Sequence, residues 1–250
     1  MKTLLSLFDY SGTWASPYMD AGWQVWTWDV KAGHDINIFK DMETTLELLE
    51  DVDGILAAPP CTDFAVSGAQ YWKTKDQDGR TNLSLQLVDQ VACLVDAFEP
   101  TCPDYLEEMG DTFFYCIENP VGRISKLRPW LGSPRYFDPC DYAGYLGLTN
   151  SEHNELDRIR RKDGKGVTWE EIEMVMKLNA YTKKTGLWGN FEMPEKDPIE
   201  PVRCAPQGSW TQKLGGSSER TKELRSMTPL GFAKAFYQAN MALTYDELEV

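Results

Sequence analysis

The chain of 250 residues lacks any apolar run approaching the ~20 residues that a helix needs to cross a bilayer. Its first residues, Met1-Lys2-Thr3-Leu4-Leu5, carry too short an apolar stretch and no small-residue cleavage pattern, so no secretory signal is expected and the predicted location is cytoplasmic, with no membrane partner. It also lacks paired cysteines. Cys61, Cys93, Cys102, Cys116, Cys140 and Cys204 are scattered without close pairs, the pattern of reduced thiols rather than of a disulfide framework. Cys140, His153 and Cys204 match no usual zinc spacing, and no metal site is expected. Positive charge is scarce: 25 Lys+Arg stand against 39 Asp+Glu, a formal net charge of −14. Such acidity argues against a protein that coats nucleic acid indiscriminately, because phosphate binding is driven by Lys and Arg. What is present is globular. Hydrophobic residues make up 42% and charged residues 26%, enough apolar material for one domain, or one domain with a smaller appendage.

The charge is unevenly spread. Residues 1–120 hold 6 basic and 21 acidic side chains, residues 121–225 hold 18 and 15, and residues 226–250 add a net −2. A shift from strongly acidic to weakly basic predicts two functional surfaces. In the acidic half, short apolar runs at 3–8, 24–28, 54–58 and 113–117 read as strands, and 17–22, 43–50 and 83–98 read as helices. Strands separated by helices predict an α/β fold, a parallel sheet with helices on both faces.

In such sheets ligands bind beyond the carboxyl ends of the strands. The unusual residues fall at those ends: Gly12 after the first strand, Asp29 after the second, Pro59-Pro60-Cys61 after the third and Glu118-Asn119-Pro120 after the last. An acid after the second strand is where nucleotide-binding folds hold ribose hydroxyls, although a turn or helix cap would use Asp29 equally well. Two consecutive prolines stiffen the turn that presents Cys61, from which a thiolate can reach a substrate. A carboxylate such as Glu118, directly after a buried strand, is partly desolvated, which suits it to proton donation. A nucleophile and an acid at two strand ends of one sheet form a catalytic pair.

These residues carry a resemblance. Leu5-Ser6-Leu7-Phe8-Asp9-Tyr10-Ser11-Gly12-Thr13-Trp14 resembles the cofactor-binding motif of cytosine-C5 DNA methyltransferases, Pro59-Pro60-Cys61 their nucleophile motif, and Glu118-Asn119-Pro120 their Glu-Asn-Val element. Asp29 and the pair Asp35-Ile36 are similar to the residues that hold the ribose and adenine, and the set occurs in the family's order. The resemblance implies a Rossmann-like S-adenosylmethionine-dependent methyltransferase fold, mainly a parallel sheet, with a small target-recognition region. It implies Cys61 and Glu118 as catalytic residues. Phe8, Asp9, Gly12, Thr13, Trp14, Asp29, Asp35, Ile36, Pro59 and Asn240 would serve S-adenosylmethionine, and Pro60, Asn119, Arg80, Thr182, Lys183 and Lys184 the DNA. Residues 62–80 would form a lid over a flipped cytosine. The sequence departs from the family at Tyr10 and Thr13, which stand where glycines are usual, and at Thr62 and Ala65, which replace Gln and Ser.

The second half is read with alternatives. Arg158-Ile159-Arg160-Arg161-Lys162 lies in an amphipathic hairpin at 151–177 and is either a nucleic-acid motif or a solvated, ion-paired helix face. Residues 181–191, with Tyr181-Thr182-Lys183-Lys184-Thr185 before Leu187-Trp188-Gly189, are similar to small, virus-encoded relatives of the family. They read either as a phosphate-contacting edge or as a hydrophobic strand with basic flanks. The expected organisation is a catalytic, cofactor-binding domain over 1–125 and 226–250 and a recognition region over 126–225, with Met227-Thr228-Pro229 starting a terminal helix. So short a region predicts a short or relaxed recognition site. Competing expectations are the same chemistry on RNA or a free cytosine nucleotide, and a non-catalytic acidic module that mimics DNA.

Overall fold

Residues 3–7 are all buried and form β1 (Thr3–Leu7), around which the sheet is laid down. The structure, a computed structural model, describes residues 1–34, 52–99, 113–203 and 218–241. The other strands are β2 (Gln24–Trp28), β3 (Gly54–Ala57), β4 (Phe114–Pro120), β5 (Arg135–Phe137) and β6 (Thr185–Trp188). They make a six-stranded mixed sheet of order β2-β1-β3-β4-β6-β5. β1 pairs in parallel with β2 and β3, β3 pairs in parallel with β4, and β4 pairs antiparallel with β6. The fold is α/β and compatible with a Rossmann-like arrangement. Because the chain steps from β1 to β2 on one side and then to β3 on the other, the topological switch point lies between β1 and β3, where α/β sheets open a crevice.

Among the described residues the α-helices are α1 (Ser16–Asp20), α2 (Trp72–Gln77), α3 (Arg80–Phe98), α4 (Ile124–Leu127), α5 (Asn150–Arg160), α6 (Trp169–Lys177), α7 (Glu219–Ser226) and α8 (Leu230–Met241). Strand alternation sends Leu5, Leu7, Ile55, Ala57 and Ile117 into one cluster with Leu85, Val88, Val91, Leu94 and Val95 of α3. Each of these Val, Leu and Ile side chains contributes about 1.5–3 kcal/mol on burial. Phe114 belongs to the opposite strand parity, and there Tyr18 of α1 stacks on it at 6.0 Å. Both faces of the central strands are therefore covered, as their near-continuous apolar character requires.

The strands at 3–8, 24–28 and 54–58 lie where the apolar runs put them, and α3 starts slightly earlier than expected, at Arg80. β4 differs more: it runs on through Glu118, Asn119 and Pro120 because Leu187, Gly186 and Thr185 of β6 pair beside them. The expected helix at 43–50, Asp35 and Ile36 lie outside the described residues. Among the described residues no helix is long and apolar enough to cross a membrane.

The chain divides into two compact units, Met1–Arg135 with Thr185–Glu192 and Asn240–Val250, and Tyr136–Lys184 with Met193–Ala239. This departs from the expected division at 125 and 226. Thr185–Trp188 joins the first unit because it is a sheet strand, and most of α8 joins the second because Phe232 stacks on Phe137 at 4.0 Å and on Tyr142 at 5.4 Å. The hairpin at 151–177 is a pair of helices, α5 and α6, each opened by a capping box, Thr149 with Glu152 and Thr168 with Glu171. Its basic run is an ion-paired face: Arg158 meets Glu155 and Glu171, Arg160 meets Asp157, and Lys162 meets Glu171.

Glu171 is buried, and the Lys162 ammonium, at 2.6 Å, leads the interactions that bring its carboxyl from 4.5 down to about 2. A depressed acid stabilises the folded state fully above its ordinary pKa and ceases to as pH falls through the folded value. The helical circular-dichroism signal is therefore expected to weaken between pH 4.5 and about 2. Glu171→Gln, which keeps a capping-box side chain but loses the charge, is expected to be less stable at neutral pH and to flatten that acid transition. Superimposable acid curves for the two proteins would contradict the assignment.

Candidate active site

The loop after β1 is bent by a strained residue. Phe8 has φ +62°, a left-handed conformation that is costly for a bulky side chain. Its N–H donates to the Trp28 carbonyl at 2.7 Å, and its ring meets Trp28 edge-on at 5.3 Å. Asp9 follows, buried, with a carboxylate that accepts from Ser6 Oγ (3.2 Å), Ser11 Oγ (3.0 Å), Trp14 N (3.1 Å) and Ala15 N (3.2 Å). Those amides lead into α1, so Asp9 closes the loop and satisfies donors at the helix entrance. Gly12 sits at φ +66° with open space where a side chain would project, Thr13 is half-buried, and Trp14 is wholly buried.

At the end of β2, Asp29 is half-buried and its Oδ1 accepts from Lys31 N at 2.7 Å. The turn use anticipated for this residue is therefore present. Its carbonyl lies 3.0 Å from His34 Nδ1. Beside it the buried Trp28 indole N–H has no hydrogen-bond partner among the described residues.

The ends of β3 and β4 are tied together. The β3–β4 ladder stops at Ala57 opposite Ile117, so Glu118, half-buried, is the first residue of β4 beyond it. Pro59 is buried, Pro60 exposed and Cys61 half-buried. The Cys61 carbonyl accepts from Phe64 N (3.0 Å) and Ala65 N (2.9 Å), which folds the chain into a tight turn directly after the thiol. Asn119, with no exposed surface, donates Nδ2 to the Pro59 carbonyl at 2.9 Å, and its Oδ1 is buried without a partner among the described residues. Beyond it the two segments pair as a short antiparallel zipper: Val66 N donates to Val121 O, Arg123 N to Phe64 O, and Ala65 bridges Gly122. The backbones approach so closely that a Cβ on Gly122 would lie 2.1 Å from the Phe64 carbonyl oxygen.

The residues expected to form a lid, 62–80, hold a 3-10 turn (Val66–Tyr71) and α2, and they are fastened down. Asp63 accepts from Ser84 Oγ at 2.5 Å and pairs with Lys75 at 3.0 Å, while Arg123 reaches Asp76. Asp63, Ser84, Gly122 and Arg123 were not among the residues singled out in the sequence; Asn119 was, as a residue expected to meet DNA, and its tie to Pro59 was not anticipated. The sole hint was a Gly-Arg pair directly after Glu118-Asn119-Pro120-Val121.

Arg80, Asn240, Lys183 and Lys184, also expected at the site, are engaged by protein partners. Arg80 is exposed and pairs with Asp78 at the start of α3. Asn240 clamps the Glu192 main chain, accepting from its N–H at 2.8 Å and donating to its carbonyl at 3.1 Å. Thr182, Lys183 and Lys184 belong to the second unit, where Lys183 Nζ donates to the Arg225 carbonyl at 3.0 Å and Lys184 Nζ lies 4.6 Å from the centre of the Tyr136 ring. The stretch after them, β6, is a fully buried strand, the hydrophobic strand with basic flanks that the sequence allowed. Among the described residues no group of His, Cys, Asp and Glu is arranged to hold a metal ion.

The zipper gives a direct test. Gly122→Ala is expected to force the two strand-end segments apart and to cost about 1–3 kcal/mol in denaturant unfolding, as overpacking of a close contact does. An unchanged midpoint would mean that the close approach is not maintained in solution. No family model matches the chain, and no curated protein matches it.

Proposed function

We propose that the protein is an S-adenosylmethionine-dependent methyltransferase that acts at C5 of cytosine in DNA. The observation that carries this reading is that the two adjacent strand-end segments bearing Cys61, a nucleophile, and Glu118, an acid, are fastened to each other by Asn119 and the 65–122 bridge. Both belong to the crevice side of a sheet whose switch point lies between β1 and β3.

Cytosine C5 is a weak nucleophile. Addition of the Cys61 thiolate to C6 breaks the C5–C6 double bond and moves its electron pair into the ring, giving an enamine that is nucleophilic at C5. Glu118 stabilises that adduct through N3 and the exocyclic amine. Once C5 is alkylated, loss of its proton and expulsion of Cys61 restore the double bond. In a duplex the base must first leave the stack, at a cost of a few kcal/mol.

The loop after β1 fits a nucleoside-bearing cofactor: Gly12 leaves open space, Trp28 offers a buried N–H without a partner among the described residues, and Asp29 follows β2. Phe8, Asp9, Thr13, Trp14 and Pro59 line or brace these strand ends, and S-adenosylmethionine bound there would supply an electrophilic methyl group. Asp9 acts through the loop it closes, since its carboxylate already accepts four hydrogen bonds. DNA would meet the weakly basic stretch that follows β4, with affinity falling steeply as salt rises.

The wild-type protein with S-adenosylmethionine is expected to become covalently trapped on duplex DNA containing 5-fluorocytosine, while Cys61→Ala is not trapped. Glu118→Gln is expected to lower methyl incorporation about 10²–10⁴-fold. Labelled methyl should enter duplex DNA in preference to RNA or a free cytosine nucleotide; incorporation into one of the latter reassigns the substrate. Absence of both trapping and incorporation would overturn the reading.

A further inference from the structure

Arg123 is a buried cation, with 9% of its surface exposed, and it lies outside the expected catalytic and cofactor set. Its Nε donates to the Asp63 carbonyl at 3.1 Å, its two terminal nitrogens grip the Asp76 carboxylate at 2.8 and 2.7 Å, and one of them also reaches Thr81 Oγ1 at 2.9 Å. The guanidinium carbon lies 4.6 Å from the Trp72 ring centre, and the Arg123 main-chain N–H donates to the Phe64 carbonyl. One side chain anchored just past β4 thus holds the turn after Cys61, the helix α2 and the first turn of α3. The Arg123 hydrogen bond is also the leading cause that brings the Asp76 carboxyl from 3.8 down to about 2, so the pair stays ionised into acid in which an ordinary aspartate is protonated.

We infer that Arg123 is a positioning residue that fixes the Cys61 turn relative to the strand carrying Glu118, and so sets the direction in which the thiol is presented. Its consequence for turnover rests on the function proposed above; its hold on the turn does not. The planar fork matters, because a lysine can occupy the site as a point charge but cannot bind Asp76 through two parallel hydrogen bonds while keeping Asp63.

The test uses the full chain and two readouts. The first is the rate at which iodoacetamide alkylates Cys61, measured by peptide mass spectrometry against Cys93, an exposed thiol on α3, as internal reference. Arg123→Lys and Asp76→Asn are expected to raise the Cys61-to-Cys93 ratio by about tenfold, as local opening of the turn becomes easier. The second is kinetic: kcat for methyl transfer should fall while KM for DNA and for the cofactor changes little, with Arg123→Lys recovering part of what Arg123→Ala loses. If Arg123→Ala does not fold, Arg123→Lys and Asp76→Asn carry the comparison. An unchanged alkylation ratio in folded variants overturns the inference. If the variants raise the ratio as expected but the wild-type protein neither traps nor methylates, the proposed function falls and the role of Arg123 in the turn stands.

Discussion

Unequal strand ends govern the candidate site. β3 stops at Ala57 whereas β4 continues to Pro120, so the chain leaving β3 loses its ladder partner just where two prolines remove their own N–H donors. Buried backbone groups must still be satisfied. Ala58 N turns to the Leu7 carbonyl, the Pro59 carbonyl takes a side-chain donor from Asn119, and pairing resumes only at Ala65 and Gly122. The gap between the end of one ladder and the start of the next holds Pro60 and Cys61. A thiol in such a gap is held on both sides by satisfied backbone while the residues beside it stay clear of the sheet.

The same economy governs the charges. The acidity of the first half is partly internal: Asp9 closes a loop, Asp53 accepts from Thr3 N, Asp63 binds Lys75 and Ser84, Asp76 holds Arg123, and Asp89 holds Arg128. Arg123 and Arg128 are in turn withdrawn from the basic count of the following stretch, as are Arg158, Arg160 and Lys162 by their glutamate and aspartate partners. A segment sum treats each charge as available to a partner. The pairings cut both the acidic and the basic totals, so a polyanion would meet fewer free cations than the sequence suggests.

What was legible in the sequence follows from the range of the forces involved. β1, β2, β3, α3 and α8 are written in local periodicity, because a strand or an amphipathic helix advertises its own buried face. β6 could be read two ways, since four residues between lysines and a glycine reveal a strand only once β4 lies beside them. The extension of β4 and the new unit boundary have the same origin: Thr185–Trp188 and Phe232 choose partners roughly 50 or more residues away along the chain, and pairing at that separation depends on the whole fold rather than on local pattern. Cys61 and Glu118 were readable as chemistry-bearing types after apolar runs. Arg123 was not, because its meaning lies in Asp63 and Asp76, which come much earlier in the sequence.

The loop after β1 also explains a departure that composition alone made puzzling. Tyr10 and Thr13 stand where glycines would give a backbone its freedom, yet the loop still bends sharply. Phe8 carries the left-handed conformation in place of a glycine, held there by its hydrogen bond to Trp28 and by ring contact with the same residue. Asp9 then satisfies four donors, and only Gly12 needs a positive φ of its own. Strain of this kind persists only where surrounding contacts over-determine it. Glycines would have made the loop adaptable and costly to order on binding. Buried polar and aromatic contacts make it rigid beforehand, and the Cys61 turn is held by the same means, so both loops at the switch point are shaped before a ligand arrives.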